Sequence, residues 1–214
     1  MISVSLDALD LAALLCSRVC HDVISPVGAI VNGLEVLEDE KDASMQEFAL
    51  DLIRKSARQA SARLQFARLA FGAAGSAGAA IDLGDAEQVA KGFIQDDKLS
   101  LAWDAPRVLM AKNKVKLLLN LVLVATNAIP RGGRIEVSVQ AEGDAAHFVI
   151  RATGRNARIP THAEDLISGH SHDGNVDAHG IQAFYTGLVA RAAEMRIAFA
   201  LDEETVTLTA DSAA

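Results

Sequence analysis

A long apolar repeat near the start of the chain constrains the fold more than any other feature. Between residues 5 and 39, apolar side chains recur at alternating steps of four and three, which keeps one stripe of a helix against a partner. The stripe consists of Leu9, Ala13, Cys16, Cys20, Val23, Val27, Ile30, Leu34 and Leu37. Because it continues through Pro26, we predict one kinked but continuous helix.

A second helix is predicted after a short charged turn at residues 38–42. Ser44, with Glu47 three residues later, is typical of a capping box at a helix start. Apolar residues then recur at helical spacing: Phe48, Leu52, Ile53, Ala57, Ala60, Leu64, Ala67 and Phe71. We therefore predict that residues 1–72 form an antiparallel helical hairpin.

A lone two-helix hairpin buries little apolar surface, so this one needs a partner. Some apolar side chains outside the stripe would also be exposed to solvent unless another surface covers them: Leu6, Leu11, Leu14, Leu15, Ile24 and Val31. The C-terminal half of the chain is one candidate for that cover, and a second copy is the other. We favour a twofold homodimer in which two hairpins form a four-helix bundle.

The second half of the chain alternates helices and strands. Residues 73–81 are rich in glycine, alanine and serine and are predicted to be a flexible linker. Helices are predicted over 82–93, 113–129 and 177–195, and strands over 99–103, 108–110, 134–141, 146–152, 196–201 and 205–210. Residues 155–175 are polar and irregular. This order predicts that residues 82–214 form an α/β sandwich, one mixed sheet with helices on one face, within an α+β protein.

Composition argues against some classes of protein and some partners. The net charge of −8 and the lack of a basic stripe argue against a nucleic-acid partner. We identify no secretory signal and no apolar run of the roughly 18 residues that a membrane span needs, so we expect a cytoplasmic protein without a membrane partner. The cysteines, Cys16 and Cys20, are then expected to be reduced.

The first helix contains the sequence His21-Asp22-Val23-Ile24-Ser25-Pro26. A proline inside a helix removes one backbone hydrogen bond at a cost of about 3 kcal/mol, and here it frees the carbonyl of Asp22. The neighbours of His21 on its own helix face include small and polar residues, namely Ser17, Arg18, Ser25 and Gly28. This indicates an imidazole that another macromolecule can reach. The alternative is a helix that ends near Ile24, with His21 an ordinary surface residue.

Together these elements resemble the catalytic core of bacterial sensor histidine kinases. The stretch from His21 to Pro26 resembles the phosphoacceptor motif of the kinases' dimerisation domain. The second half resembles their Bergerat-type (GHKL) ATP-binding domain in element order. Leu119–Ile129 with the strand after Gly132 resembles the N-box region, and Gly180–Ala183 the second glycine box.

The chain departs from these kinases at the positions that the resemblance assigns to nucleotide binding. Ala152 stands where the kinases have the aspartate that binds adenine, and Leu123 stands four residues before Asn127, where they have a second asparagine. The glycine-rich loop is reduced to one glycine, and Asp177 adds negative charge. We therefore expect that the chain binds neither ATP nor another cofactor, and that it holds no metal.

A kinase-like dimer that keeps the histidine and loses the ATP site resembles the ChpT-type histidine phosphotransferases of alphaproteobacteria. The resemblance implies relay of a phosphoryl group from a hybrid kinase's receiver domain to response-regulator receiver domains, with phosphohistidine at His21 and Mg²⁺ supplied by the receiver. Asp22 is expected to orient the ring, and Ser25 to bind the phosphoryl group or a water. Partner contacts are expected at Ser17, Arg18, Gly28 and Asn32, and Arg18 would also offset phosphoryl charge.

Other interpretations stay open at this point. The chain is alternatively an active ATP-dependent histidine kinase with unusual ligands, or a non-catalytic pseudokinase adaptor. A metal site is a further alternative, built from His170, His172, Asp173, Asp177 and His179.

Overall fold

The computed structural model describes residues 1–39, 41–72, 80–94 and 98–213. Its helices are α1 (Ala8–Asp39), α2 (Ala43–Ala70), α3 (Leu83–Phe93), α4 (Lys112–Ala128), α5 (Ala163–Ser168) and α6 (Ile181–Ala192). Its strands are β1 (Ile2–Ser3), β2 (Ala80–Asp82), β3 (Leu99–Asp104), β4 (Leu109–Ala111), β5 (Gly133–Glu142), β6 (Ala145–Thr153), β7 (His170–Ser171), β8 (Met195–Asp202) and β9 (Thr205–Ser212).

Helices α1 and α2 form the predicted hairpin, and α1 continues through Pro26 without ending near Ile24. The predicted capping box at the start of α2 is wrong. Asp42 caps the helix instead, since its Oδ1 accepts from the backbone N–H groups of Ser44 and Met45. The Ser44 hydroxyl also donates to this carboxylate. These hydrogen bonds lower the pKa of Asp42, and the bond from the Ser44 hydroxyl contributes most.

The stripe of α1 that faces α2 differs from the predicted one. The buried residues of α1 are Pro26 and Gly33, which lie about 100° around the helix from the stripe through Val27 and Leu34. Val27 and Leu34 remain exposed, as do Ile24 and Val31. The predicted stripe therefore faces α2 only in part, with Val23, Ile30 and Leu37 half-buried, because the small residues at the closest contact contribute little to apolar periodicity.

The C-terminal domain is the predicted sandwich. Its sheet has the order β3-β5-β6-β9-β8, in which β3 and β5 run parallel and the other neighbours antiparallel. Every second residue of the central strands is buried beneath α4 and belongs to the main core: Ile135, Val137, Val139, Phe148, Ile150, Ala152, Val206, Leu208 and Ala210. Helix α4 is buried almost all round, as its strongly apolar sequence predicts.

Several short elements were not predicted. Residues 155–175 contain α5 and β7, and α6 is shorter than the helix predicted over 177–195. Ala80 and Ile81, assigned to the linker, belong to β2, which pairs with β4. The rest of the predicted linker, residues 73–79, lies outside the described residues.

The C-terminal domain packs directly on the hairpin. Phe66 and Ala70 of α2 belong to the same core as Leu83 and α4. At the other end, β1 pairs with β7, and Val4 is buried against Ile181 and Phe184. Four of the side chains that needed cover pack on this second cluster: Leu6, Leu11, Leu14 and Leu15. The C-terminal half therefore covers them, whereas Ile24 and Val31 stay exposed.

By length and composition, α1 is the one helix in the described part of the chain that would be able to cross a membrane. The expectation that no apolar run is long enough is therefore wrong on that measure. Signal sequences and core helices of soluble proteins share this length and composition.

We predict that Gly33→Ala destabilises the hairpin. A Cβ at Gly33 would lie 2.7 Å from Ile53 Cγ1 and 3.3 Å from the Ala49 carbonyl oxygen. Overpacking of this kind costs about 1–3 kcal/mol, which outweighs the gain of roughly 1 kcal/mol in helix propensity. Urea unfolding is expected to show a lower midpoint than wild type. Gly28→Ala is the matched control, since its Cβ meets nothing within 4 Å, and it should be neutral or stabilising.

Candidate functional site

His21 lies midway along α1 with its imidazole in solvent. Its side chain is 81% exposed, and Nδ1 lies 3.7 Å from Asp22 Oδ1. That distance is too long for a hydrogen bond but close enough for the carboxylate to attract an N–H on Nδ1. The other ring nitrogen, Nε2, then carries the lone pair that a partner would meet.

The Asp22 carboxylate lies between His21 and Arg18. Its Oδ2 lies 3.3 Å from Arg18 Nε, one helical turn earlier, while Oδ1 lies toward the imidazole. Arg18 Nε is buried and makes no hydrogen bond among the described residues, so this contact is an ion pair rather than an aligned hydrogen bond. Since only about a fifth of each side chain is exposed, Arg18 holds the carboxylate in place beside His21.

The backbone of Asp22 is bound from the other helix. Pro26 has no N–H, so the Asp22 carbonyl lacks the donor that a helix provides four residues on. Arg63 Nη1 of α2 donates to this carbonyl oxygen instead. The sequence indicated the free carbonyl but not its partner, because the register between the helices is not visible in the spacing of one helix.

The remaining residues predicted for the site lie around His21 or on the turns that follow it. Ser17, Ser25, Gly28 and Asn32 are exposed and fall within about 40° of His21 around the axis of α1. Arg18 differs, because it is half-buried and paired with Asp22. The structure therefore brings Arg18, Asp22 and His21 together. It leaves an exposed surface of small and polar residues on the turns next to the imidazole.

The region that resembles a nucleotide site is a small cavity of about 260 Å³ lined by α4, α5 and the start of α6. Ala152 is fully buried, and the Asp177 carboxylate accepts from the N–H groups of His179 and Gly180. Asn127 lines the cavity, whereas Asn120 is buried elsewhere, between α2 and α6. These residues offer no carboxylate at the position of Ala152 to accept from an adenine amino group.

The histidine-rich segment of the alternative metal site is held by local hydrogen bonds. His170 Nδ1 lies 3.1 Å from the Ser168 hydroxyl, and the Asp173 carboxylate accepts from the backbone N–H of Asn175. That backbone bond is the largest of the interactions that lower the pKa of Asp173. Within the described ranges, no group of three histidine, cysteine or carboxylate side chains is placed to hold a metal ion.

Comparison with known proteins identifies relatives over nearly the whole chain. The family model described as the histidine phosphotransferase C-terminal domain matches residues 83–205. Protein phosphotransferase ChpT of Brucella abortus (strain 2308) is 50% identical over 208 residues, which cover 97% of this chain and 98% of that protein. A solved structure described as a bacterial phosphotransferase, at 1.7 Å, matches with a TM-score of 0.89 and 48% identity, covering 98% of this chain and 100% of that one.

These matches confirm the fold class and the resemblance drawn from the His21 motif and from the order of helices and strands. Because the family model spans more than half of the chain and a relative of nearly equal length is half identical, the chain belongs to the histidine phosphotransferase family.

Proposed function

We propose that the protein relays phosphoryl groups between receiver-domain aspartates of a two-component phosphorelay, through phosphohistidine on His21. The donor would be the receiver of a hybrid histidine kinase, and the acceptors would be response-regulator receivers. The observation that carries the proposal is the exposed imidazole beside a fixed carboxylate, on a chain of the histidine phosphotransferase family.

Loading of His21 is a displacement at phosphorus. The lone pair of neutral Nε2 attacks the phosphorus of the donor's aspartyl phosphate, and a P–N bond forms as the P–O bond to the aspartate breaks. The aspartate leaves as a carboxylate with the electron pair of that bond. The proton on Nδ1 stays on the ring, and the Asp22 carboxylate 3.7 Å away stabilises the positive charge that the ring gains.

Transfer to the second receiver is the reverse reaction. Its aspartate carboxylate attacks phosphorus, the P–N bond breaks, and Nε2 regains its lone pair. Mg²⁺ would be bound by receiver carboxylates, so the proposed cycle requires no metal or cofactor from this chain. Ser25, one turn from His21, would bind a phosphoryl oxygen or a water, and the Arg18 guanidinium, which also pairs with Asp22, would offset part of the phosphoryl charge.

Receivers would dock on the His21 face of α1. Ser17, Gly28 and Asn32 are exposed there, and a Cβ at Gly28 would meet nothing within 4 Å. A partner helix can therefore approach the backbone of α1 closely below the imidazole. Arg18 would contribute charge at the edge of this surface.

A second copy of the chain would cover the apolar face that the hairpin leaves open. Exposed large apolar side chains on α1 are Leu9 (81%), Ile24 (71%), Val27 (44%), Val31 (49%) and Leu34 (47%). Met45, Phe48, Leu50 and Leu64 of α2 are exposed as well. Pairing of two hairpins would bury these side chains in a four-helix bundle. It would also explain the apolar character of α1 without a membrane, in keeping with the cytoplasmic location that we propose.

The two alternative functions, an ATP-dependent kinase and a non-catalytic adaptor, would require different features of the structure. An ATP-dependent kinase requires nucleotide binding, which the buried Ala152 and the engaged Asp177 carboxylate disfavour. A non-catalytic adaptor has no need of an exposed imidazole with an oriented carboxylate beside it.

His21→Gln is expected to abolish uptake of the phosphoryl group. The glutamine keeps a polar side chain of similar size but has no nucleophilic nitrogen. The protein would be incubated with a receiver carrying a radiolabelled aspartyl phosphate, and the label on each chain would be followed over time. The matched control is His179→Gln, which removes an exposed histidine of the C-terminal domain and should label as wild type does. Label retained by His21→Gln would overturn the assignment.

The dimer is expected to dissociate in Leu34→Asp, because a charge would then be buried in the bundle. Sedimentation equilibrium measures the mass directly. Asn32→Asp adds the same charge on the His21 face and should remain dimeric. A monomeric wild type, or a dimeric Leu34→Asp, would contradict the proposed interface.

Adenine nucleotides are expected to leave the melting temperature unchanged. A ligand that binds only the folded state raises it by mass action. Thermal unfolding would be followed with ATP, ADP or a non-hydrolysable analogue, each with and without Mg²⁺, and with Mg²⁺ alone as the control. A rise that depends on nucleotide concentration would favour the kinase alternative.

A further inference from the structure

Arg63 replaces a hydrogen-bond donor that Pro26 removes from α1. In a regular helix, the carbonyl of Asp22 would accept from the backbone N–H of residue 26. Proline has no N–H, yet α1 continues as a helix from Ala8 to Asp39. The donor comes from α2, where Arg63 Nη1 reaches the Asp22 carbonyl oxygen across the hairpin. A bond inside one helix is thus exchanged for a bond between two helices.

This bond holds the residue that orients the imidazole. The Asp22 carboxylate contacts His21 Nδ1 on one side and Arg18 Nε on the other. Arg63 restrains the backbone of the same residue, and its guanidinium is half-buried, where a charge-assisted hydrogen bond is stronger than a neutral one. Both the side chain and the main chain of Asp22 are therefore bound by arginines, from different helices.

We propose that Arg63 is a positioning residue for phosphoryl transfer, which fixes the His21–Asp22 turn by supplying the donor that Pro26 lacks. The proposal rests on the proposed function of His21. Arg63 does not need to touch the phosphoryl group. It sets where the imidazole stands relative to the docked receiver, and displacement of a reacting group by about an ångström is enough to slow a reaction.

A double-mutant cycle separates this role from a direct effect of the Arg63 charge. Arg63→Met keeps most of the aliphatic stem and removes the donor. Pro26→Ala restores a backbone N–H at residue 26, so the Asp22 carbonyl regains an intrahelical donor and no longer needs Arg63. The wild type, both single variants and the double variant would be compared. Arg63→Lys retains a hydrogen-bond donor, so its transfer rate and melting temperature should stay close to those of the wild type.

The first measurement is single-turnover labelling of His21 from a phosphorylated receiver, at several receiver concentrations. Arg63→Met in the wild-type background is expected to lower the rate at saturating receiver by roughly ten- to a hundredfold, with little change in the receiver concentration for half-maximal rate. In the Pro26→Ala background the same substitution should have little effect. Arg68→Met removes an exposed arginine of α2 as the matched control and should transfer as wild type does.

The second measurement is thermal unfolding of the same variants, which requires no phosphoryl donor. Arg63→Met should lower the melting temperature by about 2–6 °C in the wild-type background and much less in the Pro26→Ala background. Additive thermal losses would show that Arg63 does not replace the proline amide, which overturns the proposal. Equal loss of transfer rate in both backgrounds would also overturn it, because Arg63 would then act directly on the phosphoryl group or the receiver.

The outcomes also distinguish this proposal from the proposed function. Coupled thermal losses with an unchanged transfer rate would show a hydrogen bond that is structural only, which rejects the positioning role. If the wild type takes up no label on His21, the proposed function fails and the positioning role fails with it. The thermal cycle would then still decide whether Arg63 serves the free carbonyl of Asp22.

Discussion

The buried amide of Asn120 joins the hairpin to the sheet domain, and the arrangement of the other elements depends on this junction. Its Nδ2 donates to the carbonyl of Ala70, in the last turn of α2, at 3.1 Å and to that of Lys116 at 2.8 Å. Its Oδ1 accepts from Gln182 Nε2 of α6 at 2.8 Å. The last carbonyls of a helix lack partners within the helix, so Asn120 satisfies a group that α2 cannot satisfy itself. Because a buried amide needs its partners, α2, α4 and α6 pack in one arrangement.

Because the hairpin is fixed to the sheet domain, the proposed phosphoryl transfer takes place on the exposed surface of α1. Phe66 and Ala70 are buried in the core of the sheet domain, and the start of α1 packs near α6 through Leu11 and Leu14. These contacts tie the hairpin to the domain at more than one point. A relay that receives its phosphoryl group from a partner has no need to bring its own domain to the histidine. It needs an imidazole that partners can reach, which the exposure of His21 provides.

The sequence predicted the elements whose periodicity is strong and missed those that tertiary contacts create. The alternation along β5, β6 and β9 and the continuous apolar run of α4 were sufficient to predict the sandwich. The short strands β1 and β7 were missed because only their pairing with each other defines them. The face of α1 was predicted only in part, because its apolar residues include a stripe exposed in the single chain, beside the small residues that contact α2.

The candidate site was predictable only in part, for a related reason. His21, Asp22 and Pro26 form a local pattern, and the free carbonyl follows from the covalent structure of proline. The ion pair of Arg18 with Asp22 follows from their spacing of four residues. The hydrogen bond from Arg63 to the Asp22 carbonyl, by contrast, depends on the register between α1 and α2, and the lack of a side chain at Gly33 allows their close approach. Neither can be read from the pattern of one helix.

The kinase-like residues that this chain retains are ones that its own packing uses. Gly154 stands where the kinases' Asp-x-Gly motif has its glycine, and Gly180 lies in their second glycine box. A Cβ at Gly154 would lie 2.3 Å from the Gly132 carbonyl oxygen, and one at Gly180 would lie 2.9 Å from Leu166 Cδ1. Gly154 is therefore required by a close backbone contact whether or not a nucleotide is present, and Gly180 packs against the Leu166 side chain. The position of the kinases' adenine-binding aspartate is occupied by Ala152, which is buried in the core beneath α4. The retained glycines thus give no support to ATP binding, and in the proposed relay the phosphoryl group comes from a partner.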